Sequence, residues 1–202
     1  MDVSVDNFPF YHDLPAPILP YIVGWNDVRG DGHCGFRCVA DAFHNDENDW
    51  ALVRNHIVNE IHRFPGVYDV VYFQEREAAT HRIDYYGTYC GESHWMEVNG
   101  DLFAIANLYK CAIHFYTIMP NGSLIGCCTV LPWQAPSTIR APRSELCIAL
   151  IQSSRHFIRL HLSDNFPVPP ICQLWLNVRT DSVANWPDLY TTRLGDWVQR
   201  TS

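Results

Sequence analysis

The sequence predicts an α+β domain whose sheet is built from the second half of the chain. Between residues 34 and 109, apolar residues recur at the three- and four-residue spacing of amphipathic helices. Between residues 111 and 162, short apolar runs rich in β-branched and aromatic residues are separated by turn-forming residues, which is typical of strands. Helices gathered before strands indicate an α+β architecture.

Length and composition favour a single domain over residues 1–202. A chain of 202 residues, of which 48% are hydrophobic, can bury one sizeable core and leaves little for a second. Residues 1–27 carry four prolines among aromatic residues and predict an ordered, extended arm. Residues 28–162 would form the core. Residues 163–202 would be an extended tail, held on the core by Trp175, Trp186 and Trp197.

The elements of the core follow from periodicity and from residues that break it. The predicted helices cover 34–43, 50–64, 69–86 and 101–109, the third of them largely exposed. Residues 87–99 are predicted to form a loop anchored by Trp95. The predicted strands cover 111–116, 124–131, 146–152 and 156–162.

Charge and composition argue against several classes of function. The net charge is -8 and there is no block of lysine or arginine, so we expect no nucleic-acid partner. No apolar run approaches membrane-spanning length, so we expect no membrane partner. The first residues lack a basic segment followed by an apolar core, so we expect an intracellular protein with reduced thiols, in the cytoplasm, the nucleus or, for a pathogen effector, the host cytosol. The eight cysteines include no Cys-x-x-Cys pair and the ten histidines lack ligand spacing, so we expect no bound metal. We also expect no cofactor and a monomeric protein.

One cysteine stands in a setting that suits a nucleophile. Cys34 lies between Gly32 and Gly35, which allow a sharp turn and the close approach of another chain. It also stands at the predicted start of a helix, where unpaired amides stabilise a thiolate and can bind an oxyanion. The alternative is that Cys34 is a small buried apolar residue, as many free cysteines are.

A cysteine nucleophile needs a base, and histidine serves best near neutral pH. His156 stands at the start of an apolar predicted strand, directly after a tight connection, where its side chain can project from the end of the sheet toward a helix N-terminus. His161 is the chief competitor but faces the opposite side of a regular strand. His33 adjoins the thiol but would need support from elsewhere.

With these residues in view, the sequence resembles the ovarian tumour (OTU) family of cysteine proteases, which cleave ubiquitin from proteins. The segment Asp31-Gly32-His33-Cys34-Gly35-Phe36-Arg37 matches the family's Asp-Gly-x-Cys-x-Phe-Arg. The segment Asn99-Gly100-Asp101-Leu102-Phe103-Ala104-Ile105-Ala106 is similar to the family's Gly-Glu-Leu-x-Ala-Leu-Ala helix, and His156-Phe157 follows an apolar strand as in the family. Three blocks in the family's order over roughly 28–162 are more specific than one motif. The resemblance implies a papain-type OTU fold, with a small, mostly antiparallel sheet between helical layers.

The resemblance also implies roles for individual residues. Cys34 would attack the carbonyl of the C-terminal glycine of ubiquitin or polyubiquitin, forming a thioester that water hydrolyses. His156 would act as base and then as acid. Asp31 would shape the loop whose backbone amides, those of Gly32, His33 and Cys34, form the oxyanion hole. The alternative is that Asp31 only forms a turn and has no role in catalysis.

One position departs from the family's pattern. Many members place Asp or Asn two residues after the histidine to orient the imidazole, and here that residue is Ile158. Some members recruit this group from before the cysteine, so Asn26 and Asp27 are candidates. Asp164 and Asn165 are weaker ones. Two other functions stay open: a catalytically silent ubiquitin-binding module, and the same hydrolysis on a ubiquitin-like modifier.

Overall fold

A five-stranded sheet lies at the centre of the computed structural model, which describes residues 8–202. The strands are β1 (Ile22–Asn26), β2 (Cys111–Thr117), β3 (Cys128–Val130), β4 (Ser144–Ile151) and β5 (His156–Leu162). Their order is β1-β5-β4-β2-β3. Only the pairing of β2 with β4 is parallel, so the prediction of a mostly antiparallel sheet is confirmed.

Helices cover the sheet on both sides. They are α1 (Cys34–His44), α2 (Trp50–Arg63), α3 (Pro65–Val71), α4 (Arg76–Ile83), α5 (Val98–Tyr109), α6 (Gln173–Val178) and α7 (Thr191–Thr201). All seven residues of β2, which lies between β4 and β3, are buried, as expected for a strand packed on both faces. The predicted α+β class, with a sheet between helical layers, is therefore confirmed.

The predicted helices and strands of the core are largely confirmed, except over 69–86. Helices α1, α2 and α5 lie where the periodicity placed them, and the predicted strand over 124–131 shortens to β3. The predicted helix over 69–86 is instead divided between α3 and α4, and although half of these residues are exposed as predicted, five are buried. Tyr72 and Ile83 are buried, and Arg82 pairs with the fully buried Asp101. The charged residues in this segment led to a prediction of exposure, but an arginine can be buried when it pairs with a carboxylate.

The arm and the tail both form more regular structure than predicted. Residues 22–26 are not a free extended arm but form β1, which pairs antiparallel with β5. No proline lies between Pro20 and Pro65, so the amides of residues 22–26 are free to pair with the edge of the sheet. The arm before Phe8 lies outside the described residues. The tail contains α6 and α7 instead of being extended, although its three tryptophans are buried as predicted.

Two pairings fix α1 relative to the start of β5. Asp41 of α1 accepts hydrogen bonds from Arg159 of β5 at 2.9 Å and from Asn26 of β1 at 2.7 Å. The helix that begins at Cys34 is thereby attached to the two strands that meet near His156. None of the helices within residues 8–202 is long and apolar enough to cross a membrane.

Candidate active site

Cys34 is the first residue of α1. It is 8% exposed, so most of the residue is covered by the surrounding chain. The first turn of the helix closes with the Arg37 amide donating to the His33 carbonyl oxygen at 2.9 Å. Cys34 therefore stands in the first turn of the helix, where the backbone amides have no acceptor within the helix.

His156 is the first residue of β5 and stands beside Cys34. The Cys34 side chain is the largest cause of a raised pKa of His156, and the carboxylate of Asp27 adds to it against the opposing effect of burial. The imidazole Nε2 lies 2.9 Å from Asp27 Oδ1. Since an ionised carboxylate only accepts, Nε2 carries a proton, and the remaining ring nitrogen, Nδ1, is left for the sulfur.

Of the candidates for orienting the imidazole, the structure places only Asp27 against it. The Asn26 side chain donates to Asp41, and its Oδ1 lies 3.2 Å from His161 Nε2. Successive residues of an extended chain point to opposite sides, so Asn26 faces α1 while Asp27 faces His156. Within residues 8–202, neither Asp164 nor Asn165 makes a hydrogen bond to His156.

Asp31 braces the loop before Cys34. Its carboxylate accepts from Arg37 Nη2 at 2.6 Å and from Arg37 Nε at 3.1 Å. Although burial opposes its ionisation, the hydrogen bonds from Arg37 and from the His33 amide hold the pKa of Asp31 below its usual value. The Asp31 carbonyl oxygen also accepts from the Cys90 amide at 3.1 Å. These contacts fit the loop-shaping role that the resemblance implies.

The amides predicted for the oxyanion hole are not equally free. The His33 amide donates to Asp31 Oδ1 at 3.1 Å, so it is engaged and does not point into an empty hole. No acceptor within residues 8–202 receives the amides of Gly32 or Cys34. The structure thus leaves two of the three predicted donors available, because the aspartate that shapes the loop uses the third.

The two glycines that flank Cys34 make room for the protein's own chain. Residues 84–97 form a loop that we call the cleft loop. Gly32 has a φ of +88°, and a Cβ there would lie 2.2 Å from the carbonyl oxygen of Cys90. A Cβ on Gly35 would lie 2.8 Å from the side chain of Met96. The close approach that the glycines predicted is therefore made by the cleft loop, which packs against the residues on either side of Cys34.

His33 is a structural residue and not a second base. Its ring is fully buried and stacks on Trp50 with centroids 3.6 Å apart. Arg54 Nη2 lies 3.0 Å from Nδ1, and the Gly87 carbonyl oxygen lies 2.8 Å from Nε2. A guanidinium only donates, so Nδ1 accepts and Nε2 carries the proton. Burial is the largest cause of the lowered pKa of His33.

The same fold is found among solved structures, although no family model and no curated protein sequence matches this chain. The viral OTU domain protease from Dera Ghazi Khan virus superposes with a TM-score of 0.53 at 16% identity, over 73% of this chain and 85% of that chain. The chain has an OTU-like fold. The OTU domain of OTUD1 is similar with a TM-score of 0.49 at 13% identity, over 68% and 84% of the two chains. The viral OTU domain protease from Farallon virus has a TM-score of 0.45 at 18% identity, over 73% and 88%.

Residues 8–202 of this OTU-like fold contain neither a cluster suited to a metal ion nor a disulfide. Within residues 8–202, no group of three or more His, Cys, Asp or Glu side chains is placed to share a metal ion. All eight cysteines are free thiols. Burial is the largest cause of the raised pKa of Cys38 and of Cys90, so neither thiol ionises readily.

Sequence reasoning missed Arg54, which is fully buried and lies against His33. Its guanidinium lies over the ring of Phe36, with Cζ 3.8 Å from the ring centroid. One signal for it was present. In α2, position 54 falls on the same helix face as Ile57, Val58 and Ile61, so a charged residue interrupts an apolar stripe.

Proposed function

We propose that this protein is a thiol hydrolase in which Cys34 is the nucleophile and His156 the acid and base. The single observation that carries the proposal is the set of three neighbouring groups: a cysteine at a helix N-terminus, an imidazole beside it and a carboxylate on one ring nitrogen. This arrangement is the one that cysteine hydrolases use, because each group prepares the next.

The first half of the reaction forms a thioester. His156 Nδ1 takes the proton of the Cys34 thiol, and the thiolate attacks the carbonyl carbon of the scissile amide. The amides of Gly32 and Cys34 hold the negative oxygen that develops. When the tetrahedral intermediate collapses, the C–N bond breaks and Nδ1 returns its proton to the leaving amine.

The second half releases the product. His156 takes a proton from a water molecule, which attacks the thioester carbonyl. The C–S bond then breaks as His156 returns that proton to the Cys34 sulfur, and the carboxylic acid product releases its own proton to water to become a carboxylate. Asp27 keeps the proton on Nε2 throughout, so that Nδ1 always faces the sulfur. No metal or cofactor enters these steps, since the protons and the electron pair all pass between groups of the chain, the substrate and water.

We further propose that the amide cleaved follows the C-terminal glycine of ubiquitin, which makes the protein a deubiquitinase. Support comes from the OTU-like fold together with the residues that match the OTU motifs around Cys34 and His156. Cys34 is only 8% exposed, which suits a substrate whose C-terminal tail ends in glycines. A ubiquitin-like modifier with such a tail is the second candidate substrate on the same ground.

The direct test uses ubiquitin that carries a thiol-reactive electrophile at its C-terminus. The wild type is expected to form a covalent adduct, and Cys34→Ala is expected to form none. Cys38→Ala is the matched control, because Cys38 lies one turn along the same helix and is fully buried. A wild type that binds ubiquitin without an adduct would identify a silent binding module, and an adduct only with other modifiers would change the substrate.

A further inference from the structure

Arg54 is a buried cation with no carboxylate partner within the described residues. Its acceptors are instead backbone and ring atoms. It donates to the carbonyl oxygen of Ile83 at 3.0 Å, to that of His94 at 2.8 Å and to His33 Nδ1 at 3.0 Å. Burial is the largest cause of lowering the pKa of Arg54 to about 10, so it remains charged near neutral pH. Burying a charge costs free energy, so a buried arginine at this position points to a specific role.

The acceptors of Arg54 belong to two segments that it links: the chain around the cleft loop and the segment that ends at His33. Ile83 and His94 bracket most of the cleft loop. His33, which precedes the nucleophile, extends the connection, because its Nε2–H donates to the Gly87 carbonyl oxygen at 2.8 Å. Arg54 and His33 thus connect the segment before Cys34 to two points of the cleft loop, Gly87 and His94, and to the end of α4 just before it.

The tie continues to the backbone that would form the oxyanion hole. Cys90, in the middle of the cleft loop, donates its amide to Asp31 and packs directly on Gly32. The backbone on both sides of the Gly32 amide is therefore held, by Asp31 on one side and by His33 on the other. A shift of the cleft loop would move that amide relative to Cys34.

We propose that Arg54 and His33 act as a pair of positioning residues that hold the Gly32 and Cys34 amides in place for the oxyanion. This inference rests on the proposed thiol hydrolysis and goes beyond it, since neither side chain touches the reacting atoms. The pair stabilises the transition state of acyl transfer and leaves the thiol and its base unchanged. Misplacement of a catalytic group by about 1 Å can cost about a hundredfold in rate.

Two variants test the pair in the full chain. Arg54→Met removes the donors at similar length, and His33→Phe keeps the stack on Trp50 while removing both hydrogen bonds. The second variant guards against loss of folding in the first. On ubiquitin with a fluorogenic C-terminal amide, we expect kcat to fall about tenfold to a hundredfold in each, with KM little changed. We expect the double variant to lose no more than the worse single variant, because the two residues act as one unit.

A second measurement separates positioning from damage to the nucleophile. Alkylation of Cys34 by iodoacetamide needs the thiolate but no oxyanion, so its rate is expected to stay within about twofold of the wild type. His33→Gln, which restores one acceptor and one donor, is expected to recover most of kcat. His114→Phe is the matched control, because His114 is equally buried but lies against Thr129 and Glu145.

Specific outcomes overturn the proposal. An unchanged kcat in both folded variants overturns it, and so does an alkylation rate that falls in parallel with kcat. If the wild type turns over no ubiquitin substrate, the proposed deubiquitinase activity is wrong, but the role of Arg54 and His33 can still be tested. Hydrogen exchange of residues 84–97 is then measured in both variants, and unchanged protection in both overturns the positioning role.

Discussion

Asp27 Oδ1 lies 2.9 Å from His156 Nε2, although the two residues are separated by 129 positions in the chain. This contact supplies the group that the sequence lacks at Ile158. The carboxylate of Asp27 is about half exposed, so water shares its hydrogen-bonding capacity. It therefore orients the imidazole without the strength of a buried pair.

Replacing Asp27 with Ala is expected to lower kcat/KM about tenfold. Without the carboxylate, the imidazole can rotate and its neutral form can place the proton on the wrong nitrogen. The loss stays moderate because a cysteine is already a good nucleophile when paired with histidine. Steady-state kinetics on a fluorogenic ubiquitin amide provide the measurement. Asp164→Ala is the control and should be neutral; equal losses in the two variants would contradict the assignment.

Removing the thiol is expected to lower the pKa of His156. The Cys34 side chain is the largest cause of the raised value, so Cys34→Ala should move it toward the ordinary value, with Asp27 retaining part of the increase. NMR titration of the His156 ring protons would measure it. The pKa of His161, whose lowering comes first from burial, should not move. A His156 value unchanged by the substitution would mean that the two side chains do not interact.

The same shift has a consequence for stability. A histidine whose pKa is raised on folding stabilises the folded protein fully below its unfolded value of about 6.5, and loses that effect as pH rises through the raised value. The free energy of unfolding should therefore decline across this interval more in the wild type than in His156→Gln. Urea denaturation at several pH values would measure the difference. Parallel pH profiles for the two proteins would argue against it.

Adding a methyl group at Gly32 is expected to destabilise the protein by about 2 kcal/mol or more and to abolish activity. The residue has a φ of +88°, and the new Cβ would lie 2.2 Å from the Cys90 carbonyl oxygen. Gly91→Ala is the matched control in the cleft loop, since no atom lies within 4 Å of its Cβ position. Chemical denaturation should find Gly91→Ala close to neutral. A Gly32→Ala protein of wild-type stability would refute the packing described above.

Removing the Asp31 carboxylate is expected to cost about 3 kcal/mol, because Asp31→Ala leaves Arg37 buried at 2% exposure without its main partner. Asp69→Ala breaks an ion pair of similar length, 2.7 Å to Arg76, at the surface. That variant should lose under about 1 kcal/mol. Both values come from urea denaturation. Since the pKa of Asp31 is lowered on folding, its contribution is present above the unfolded value and disappears as pH falls through the folded one.

Much of the local structure was predictable from the sequence. Periodicity located α1, α2, α5, β4 and β5, because apolar spacing directly reports which face of an element is buried. The glycines and the helix start singled out Cys34. The start of an apolar strand singled out His156.

The partners of these two residues were decided only by the tertiary structure. The choice of Asp27 over Asn26 depends on the register of β1 on β5, in which Asn26 lies opposite Arg159 and the chain then turns toward His156. The burial of Arg54 and the packing of the cleft loop on Gly32 depend in the same way on contacts between distant segments. Sequence by itself determined which residues could react, since that follows from local chemistry. The fold decided what orients them, because orientation is set by side chains that meet only when the sheet and helices have packed.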